Sequence, residues 1–321
     1  MLTALEIKNE FEEYIKNREF NGSPQSLYDP INYILSLKAK RARPVLLLLA
    51  HQLYNSDISP SLSKALAIEV FHNFTLLHDD IMDAADLRRG QAAVHKKYSE
   101  NAAILSGDVM MIIANQLLEE EAITHSDLIR ELFSKVAVEI CEGQQMDMDF
   151  ESTEDIQITD YLEMIKKKTA VLLGVSLQIG ALSGGATKED AARLYQFGEQ
   201  FGISFQIQDD LLDTFGDGDK VGKEIGGDIR QGKKTYLYLK ALALLEGEER
   251  EKFIKLYQSD EPNKVEQVKT IFKSNGVDEY ARQLRDAYHD LAMGHFQSLA
   301  IEQELKDNMS SYLDLFINRE T

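Results

Sequence analysis

Apolar positions recur at helical spacing along almost the whole chain. Segments at about 2–18, 27–38, 41–54, 61–84, 101–119, 126–149, 158–183, 188–215, 231–246, 249–259, 263–273, 277–297 and 301–317 read as helices. Ser61, Ser126, Thr159 and Thr187 each precede a periodic apolar run and predict N-caps, while Gly184-Gly185 predicts a stop. Leu162, Ile165, Thr169, Leu172, Leu173, Val175 and Leu177 spread apolar surface around one helix, which predicts a central position for it. No proline lies between Pro60 and Pro262, and no Val/Ile-rich strands alternate with the helices. The pattern predicts an all-α, single-domain bundle over residues 1–321, with about 10–13 helices around a central active-site cavity. Between Gly216 and Gly232 the periodicity stops. Six glycines among charged residues predict an exposed, mobile loop there.

Two of the apolar stretches end in the same acidic signature. One is Asp79-Asp80-Ile81-Met82-Asp83, the other Asp209-Asp210-Leu211-Leu212-Asp213. Residues four apart share a helix face, so Asp79 pairs with Asp83 and Asp209 with Asp213. Like charges at this spacing repel by a few tenths of a kcal/mol, and Asp is a poor helix former. Two such clusters in apolar sequence predict a bound cation. Carboxylates without His or Cys partners suit a hard ion, and Mg²⁺ fits best because it leaves positions for phosphate oxygens. No zinc spacing is present. A calcium EF-hand starting at Asp213 fails at its third position, Phe215.

Composition narrows the partners. The formal charge of −19 disfavours nucleic acid and anionic membrane surfaces. Any anion site must therefore be built locally. Basic clusters stand ready for it: Lys38 to Arg43, Arg88-Arg89, Lys166 to Thr169, and Lys220, Lys223, Lys233 and Lys234. Metal held by carboxylates and flanked by Arg and Lys is a diphosphate chemistry. The two acidic helices suit one multi-metal diphosphate site, and Lys40, Arg43 and Arg89 suit a second anion. The single cysteine, Cys141, the absence of a signal-peptide pattern and the short run Val45–Ala50 predict a cytoplasmic protein without stable membrane insertion.

These residues resemble the trans-isoprenyl diphosphate synthases, the polyprenyl synthetase family, over nearly the whole chain. The resemblance is carried by Asp79–Asp83 with Leu87-Arg88-Arg89-Gly90, and by Phe205-Gln206-Ile207-Gln208-Asp209-Asp210-Leu211-Leu212-Asp213. Lys40 to Pro44, Gly107-Asp108, Gly143 to Asp147, Lys168-Thr169, Gly222-Lys223, Asp228 and Gly232-Lys233 follow in the family's order. The resemblance implies the isoprenoid synthase fold, a homodimer, and condensation of isopentenyl diphosphate with an allylic diphosphate. It implies three Mg²⁺ ions, with Mn²⁺ as a substitute. Asp79 and Asp83 would hold two ions with Asp80 in support, and Asp209 the third with Asp210 and Asp213 nearby. Arg88, Lys168, Lys223 and Lys233 would contact the allylic diphosphate. Lys40, Arg43, His72 and Arg89 would hold the isopentenyl diphosphate. Thr169 and Gln206 would face the developing carbocation, with Phe205 near the isopentenyl tail and Gln144 and Asp147 beside the first metal cluster.

Three departures stand out: Lys38-Ala39 in place of Gly-Gly, Gln91-Ala92-Ala93 in place of Lys-Pro-Thr, and a C-terminus without a basic tail. Helical geometry then bears on product length. Phe74 and Thr75 lie slightly more than one turn below Asp79, and Phe71 about two turns below. Geometry alone leaves Phe74 and Phe71 as possible core residues; the resemblance implies that Phe74 is a pocket floor, and with the small Thr75 leaving some room it implies products of about fifteen to twenty carbons, the longer preferred. A class I terpene cyclase would replace the second acidic motif. A non-catalytic partner subunit would lose motif residues. An acidic metal-binding scaffold leaves the ordered basic motifs unexplained.

Overall fold

The computed structural model describes residues 1–121, 123–216 and 225–317, with side chains as far as 314. It is helical almost throughout, as the periodicity predicts. Helices α1 (Ala4–Lys16), α2 (Gln25–Ser36), α3 (Ala42–Gln52) and α4 (Leu62–Met82) lead to a hairpin, β1 (Leu87–Arg88) and β2 (Gln91–Ala92). Then come α5 (Val94–Lys97), α6 (Glu100–Glu119), α7 (Ser126–Ser152) and α8 (Ile158–Ile165). A π turn (Lys166–Ala170) joins α8 to α9 (Val171–Gly184), and α10 (Lys188–Phe215) follows. The chain continues through α11 (Gly227–Gln231), α12 (Tyr236–Leu244), α13 (Gly247–Tyr257), α14 (Lys264–Ser274), α15 (Val277–Gln297) and α16 (Gln303–Ile317).

The predicted single domain meets a chain that forms two compact units, each drawn from three separate stretches. The first comprises Met1–Phe133, Val175–Leu194 and Ile301–Met309; the second comprises Ser134–Gly174, Tyr195–Ala300 and Ser310–Thr321. In the first unit α4 packs mainly on α6 and α3. Its core gathers Phe11, Ile34, Leu47, Ile68 and Phe71, all buried. By length and apolar content α6 could cross a bilayer; 44% of that window is buried. Lys64 is buried; its ammonium donates to the carbonyls of Glu121 and Pro60 at 2.8 and 3.3 Å, and the Glu121 and Glu120 charges oppose the cost of its burial. The second unit packs around Ile165, Ile207, Leu211, Leu237, Phe253 and Phe272.

Local signals explain most boundaries. Thr3 and Glu6 form a capping box at α1, and Thr187 accepts from Asp190 N at 3.1 Å to cap α10. The predicted start at Thr159 moves two residues earlier, because Gln157 and Asp160 make a reciprocal cap and leave Thr159 inside α8. Ser61 occupies the N-cap of α4 but makes no capping bond. The predicted stop is present: Gly185 has φ +95°, and Ala186 N donates to Ala181 O at 3.0 Å. The predicted helix at 231–246 is shorter, because Gly232 turns the chain at φ +71° between α11 and α12. Residues 217–224 of the predicted mobile loop, including Lys220, Gly222 and Lys223, lie outside the described residues, and the rest of that stretch is not all loop: it holds the short helix α11 with Ile229 buried.

Candidate active site

Both acidic motifs occupy the last turns of their helices, Asp79–Asp83 at the end of α4 and Asp209–Asp213 at the end of α10. A helix C-terminus carries the negative end of the dipole, so each placement costs about 0.3–1 kcal/mol per charge and favours a nearby cation. The spacing sorts the carboxylates. Asp79 and Asp83 share one face, half-buried and exposed respectively, while Asp80 points roughly 100° away. Asp80 is 1% exposed and is gripped by Arg88 of β1, whose Nε stands 2.9 and 3.1 Å from its two oxygens. Burial opposes the Arg88 charge, yet Asp80, Asp79 and Asp83 together push its pKa up. Arg88 is thus engaged by protein before any substrate arrives.

In the second unit the sorting repeats. Asp209 and Asp213 are half-buried, whereas Asp210 is 5% exposed and accepts from Tyr161 Oη and, at 3.2 Å, from Gln206 Nε2. Burial and the Asp228 carboxylate push Asp210 well above the usual carboxylate range, against those two donors. Asp213 also has a structural duty: its Oδ2 accepts from Asp228 N at 3.0 Å, at the start of α11.

A patch of positive charge lies in the first unit. Arg41 is fully occupied: it bonds Glu69 Oε1 at 2.6 Å, Glu12 Oε1 at 3.2 Å and Leu35 O at 2.6 Å. Arg43 and Arg89 differ. Arg43 Nε and Arg89 Nη1 are buried donors with no hydrogen-bond partner among the described residues. Burial and the Arg89 charge pull Arg43 down to about 10, with Glu69 opposing; burial, Arg41 and Arg88 also lower Arg89. Arginine stays protonated at neutral pH regardless, so these shifts measure a poorly compensated pair of cations. His72 stands 3.1 Å from Arg43 Nη1 through its Nε2. Since arginine only donates, Nε2 must accept, and the proton sits on Nδ1. Burial and four arginines hold His72 well below its ordinary pKa, so it is neutral. Lys40 is exposed.

Arg89 and Gly90 form the two-residue turn between β1 and β2, with φ of +54° and +75°. Such turns require both central residues in the left-handed region and usually take Asn-Gly. An arginine there is strained, and so is Arg41 with φ +55° at the N-cap of α3. Backbone strain of this kind collects at functional sites.

The basic residues of the second unit sit on irregular backbone. Lys168 and Thr169 belong to the π turn, a distortion often found at functional sites. It is held closely on two sides: a Cβ at Gly143 would lie 2.4 Å from Lys168 N, and one at Gly202 would lie 2.6 Å from Ala170 Cα. Lys168 Nζ is 2.5 Å from Asp147 Oδ2, and Thr169 Oγ1 donates to Gln206 Oε1 at 3.3 Å. Phe205 and Gln206 are half-buried on α10. Lys233 is exposed, 3.8 Å from Asp228 Oδ1, and its carbonyl accepts from Tyr257 Oη at 2.6 Å. Lys234 donates to the carbonyls of Phe150, Glu151 and Thr153 at 2.8, 3.3 and 2.6 Å, which closes the end of α7.

Below Asp79, Phe74 is nearly buried between two rings, 5.5 Å from Phe71 and 4.9 Å from His78 between centroids. Phe71 is wholly buried against Phe133 at 5.1 Å. Thr75, half-buried, turns its hydroxyl onto His72 O at 2.8 Å.

Among the described residues no three His, Cys, Asp or Glu side chains are gathered as a ready metal site. The donor set nevertheless fits a hard divalent ion: Asp79 and Asp83 pair on one face, Asp209 and Asp213 on another, and no nitrogen or sulfur ligand accompanies them. Three contributors were not foreseen: Glu69, Asn73 and Tyr161. Asn73 donates to Glu69 Oε1 at 2.9 Å and helps fix the carboxylate that holds Arg41. A glutamate inside Ala65-Leu66-Ala67-Ile68-Glu69-Val70-Phe71 is itself a signal, since a buried charge needs a partner.

A polyprenyl synthetase profile matches residues 24–275. The chain is 37% identical to a geranylgeranyl pyrophosphate synthase of Geoglobus acetivorans over 98% of this chain and 96% of that one. It is 34% identical to a short chain isoprenyl diphosphate synthase of Methanothermobacter thermautotrophicus over 96% and 95%. A crystal structure of a geranylgeranyl pyrophosphate synthase superposes with a TM-score of 0.94 at 39% identity, covering 100% of both chains.

Proposed function

Because the chain belongs to the polyprenyl synthetase family, we propose that it condenses isopentenyl diphosphate with dimethylallyl, geranyl or farnesyl diphosphate, with geranylgeranyl diphosphate favoured over farnesyl diphosphate as product. The chain is a trans-prenyltransferase, and membership implies a divalent-metal requirement. The observation that carries the reading of a second anion is the pair of buried, unsatisfied donors at Arg43 and Arg89. A buried donor without an acceptor is costly, and a diphosphate would supply the missing acceptors.

Mg²⁺, with Mn²⁺ as a substitute, would supply Lewis-acid stabilisation of departing diphosphate, held by Asp79, Asp83, Asp209 and Asp213. Asp80 supports from behind by fixing Arg88. Arg88, Lys168 and Lys233 would neutralise the allylic diphosphate; Lys223, outside the described residues, is assigned with them by resemblance. Lys40, Arg43 and Arg89 would hold isopentenyl diphosphate, and neutral His72 orients Arg43. Thr169 and Gln206 would present oxygen dipoles to the allylic cation, with Phe205 against the isopentenyl tail. The double bond of isopentenyl diphosphate then attacks, and released diphosphate takes the proton. Phe74, braced by Phe71 and His78, would close the chain-length pocket, with Thr75 leaving room beside it.

A homodimer goes with this reading. Leu105 and Ile112, seven apart on α6, are 57% and 59% exposed, an apolar face suited to a second copy. One catalytic domain over 1–321 in the cytoplasm completes it. The free thiol of Cys141 is in keeping with a reducing compartment.

The test is incubation of labelled isopentenyl diphosphate with primers of five, ten and fifteen carbons, with Mg²⁺ or with excess chelator. Elongation to twenty carbons, abolished by chelator and restored by Mg²⁺, is expected. No elongation from any primer would instead favour a partner subunit, and a cyclic hydrocarbon product would favour a terpene cyclase.

A further inference from the structure

We propose that Tyr161 is a positioning residue of the transfer: through Asp210 it fixes the Gln206 side-chain amide with its oxygen toward Thr169. The proposal rests on the reading that Thr169 and Gln206 face the allylic cation. Four residues from three elements, α8, the π turn and α10, form one chain of hydrogen bonds in the second unit. Tyr161 of α8 donates its single hydroxyl hydrogen to Asp210 Oδ2. Asp210 Oδ1 accepts from Gln206 Nε2 at 3.2 Å, one turn earlier on α10. Gln206 Oε1 accepts from Thr169 Oγ1 at 3.3 Å, on the π turn. Tyr161 and Asp210 are buried, so water does not substitute for either partner.

The direction of the chain follows from its first member. An amide can be turned over with little change in shape, and only its neighbours decide which end is oxygen. With Oδ2 taken by the Tyr161 hydroxyl, Asp210 faces Gln206 with Oδ1, and Oδ1 is the acceptor of that contact. It therefore takes the NH₂ end of Gln206 and would meet the oxygen end with lone pair against lone pair. Holding Asp210 in this rotamer is the work of Tyr161, which approaches from a different helix. The result is an amide dipole whose negative end stays on the Thr169 side throughout the reaction. A dipole fixed before charge develops stabilises a cation without reorganising, and that benefit appears in the transition state. The diphosphate-binding cations take no part in this chain. Loss of Tyr161 should therefore lower kcat and spare both KM values.

The experiment uses the full chain with Mg²⁺, isopentenyl diphosphate and an allylic diphosphate. Tyr161→Phe is expected to lower kcat about 10- to 100-fold, the usual effect of removing a partner that orients a ligand, with each KM within about twofold. Gln206→Leu should also lower kcat. The double variant should be no slower than Gln206→Leu alone, since Tyr161 acts only through Gln206. A purely structural role would make the two losses multiply, which overturns the proposal, as would an unchanged kcat in Tyr161→Phe. An unchanged kcat in Gln206→Leu instead sinks the placement of Gln206 at the cation. Should Tyr161→Phe fold poorly, Asp210→Asn carries the test, because it keeps the volume of the side chain. Its own amide would accept from Tyr161 and offer N–H to Gln206, turning that amide over. The same kcat loss with KM retained is expected, and a wild-type kcat overturns the proposal.

Discussion

Replacing Arg43 with methionine should make the ligand-free protein more stable and the enzyme worse. Burial pulls Arg43 from its ordinary value down to about 10. At about 1.4 kcal/mol per pKa unit, that drop corresponds to roughly 3 kcal/mol held against the folded state. The sign is that of a cation whose folded pKa is depressed. Folded and unfolded chains both carry the charge below pH 10, so the whole penalty is present at neutral pH. Methionine fills similar volume without charge, but it leaves His72 Nε2 without the donor now 3.1 Å away. That loss offsets about 1 kcal/mol. The net expectation is about 1–2 kcal/mol of stabilisation, read as a higher urea midpoint at unchanged slope. Inorganic pyrophosphate in excess chelator supplies the second arm. At a hundred times its Kd it should stabilise wild type by about 2.7 kcal/mol and the variant far less. In turnover, loss of a charged hydrogen bond worth about 1.5–3 kcal/mol should raise KM for isopentenyl diphosphate about 10- to 100-fold. A destabilised variant that keeps both its pyrophosphate response and its KM would refute the reasoning.

Phe74→Ala should lengthen the product by at least one five-carbon unit on chromatography and cost about 3 kcal/mol of stability, as buried Phe→Ala changes do; an unchanged product length would show that the pocket floor lies elsewhere. His72 and His51 are both held below their ordinary pKa by burial, with the neighbouring arginines adding at His72. The unfolded chain therefore takes up protons that the folded one refuses, and stability should fall as pH drops below about 6.5, by up to about 1.4 kcal/mol per pH unit for each histidine. Urea titrations between pH 7.5 and 5.5 measure that slope, and His72→Gln should make it shallower; an identical slope in the variant would remove His72 from the account.

Long periodic helices were legible from the pattern alone. The stretch 277–297 was bounded correctly because Gly276 and Ser298 flank an uninterrupted period. The hairpin was not legible. Two residues per strand are too few to show alternation, and its turn is Arg89-Gly90 where the recognisable signal would be Asn-Gly. The π turn was hidden for a related reason: one extra residue in a turn leaves the apolar period on either side nearly intact, and three lysines and a threonine fill it. Among the basic residues, sequence could nominate Lys40, Arg43 and Arg89 for an anion, but it could not show that Arg41, in the same cluster, is taken up by protein partners. Those partners are Glu12 and Glu69, carried on two other helices on either side of Arg41 in sequence.

The acidic motifs show why repetition in sequence is not repetition in role. In Asp-Asp-x-x-Asp the helix fixes the first and third carboxylates on one face and turns the second inward, whatever the surroundings. In both copies the inward aspartate is buried, yet its partners differ: Arg88 for Asp80, and Tyr161 with Gln206 for Asp210. The first pairing is charge against charge and anchors a strained turn that carries Arg89. The second is a carboxylate held by neutral donors and reaches a half-buried amide. The outer aspartates diverge as well. Asp83 stands exposed at the end of α4, whereas Asp213 spends one oxygen on the start of α11, whose far end leads to Lys233. One arrangement of five residues therefore serves two purposes. It sets carboxylates on a face for metal, and it ties each motif to the local element that delivers the next functional group.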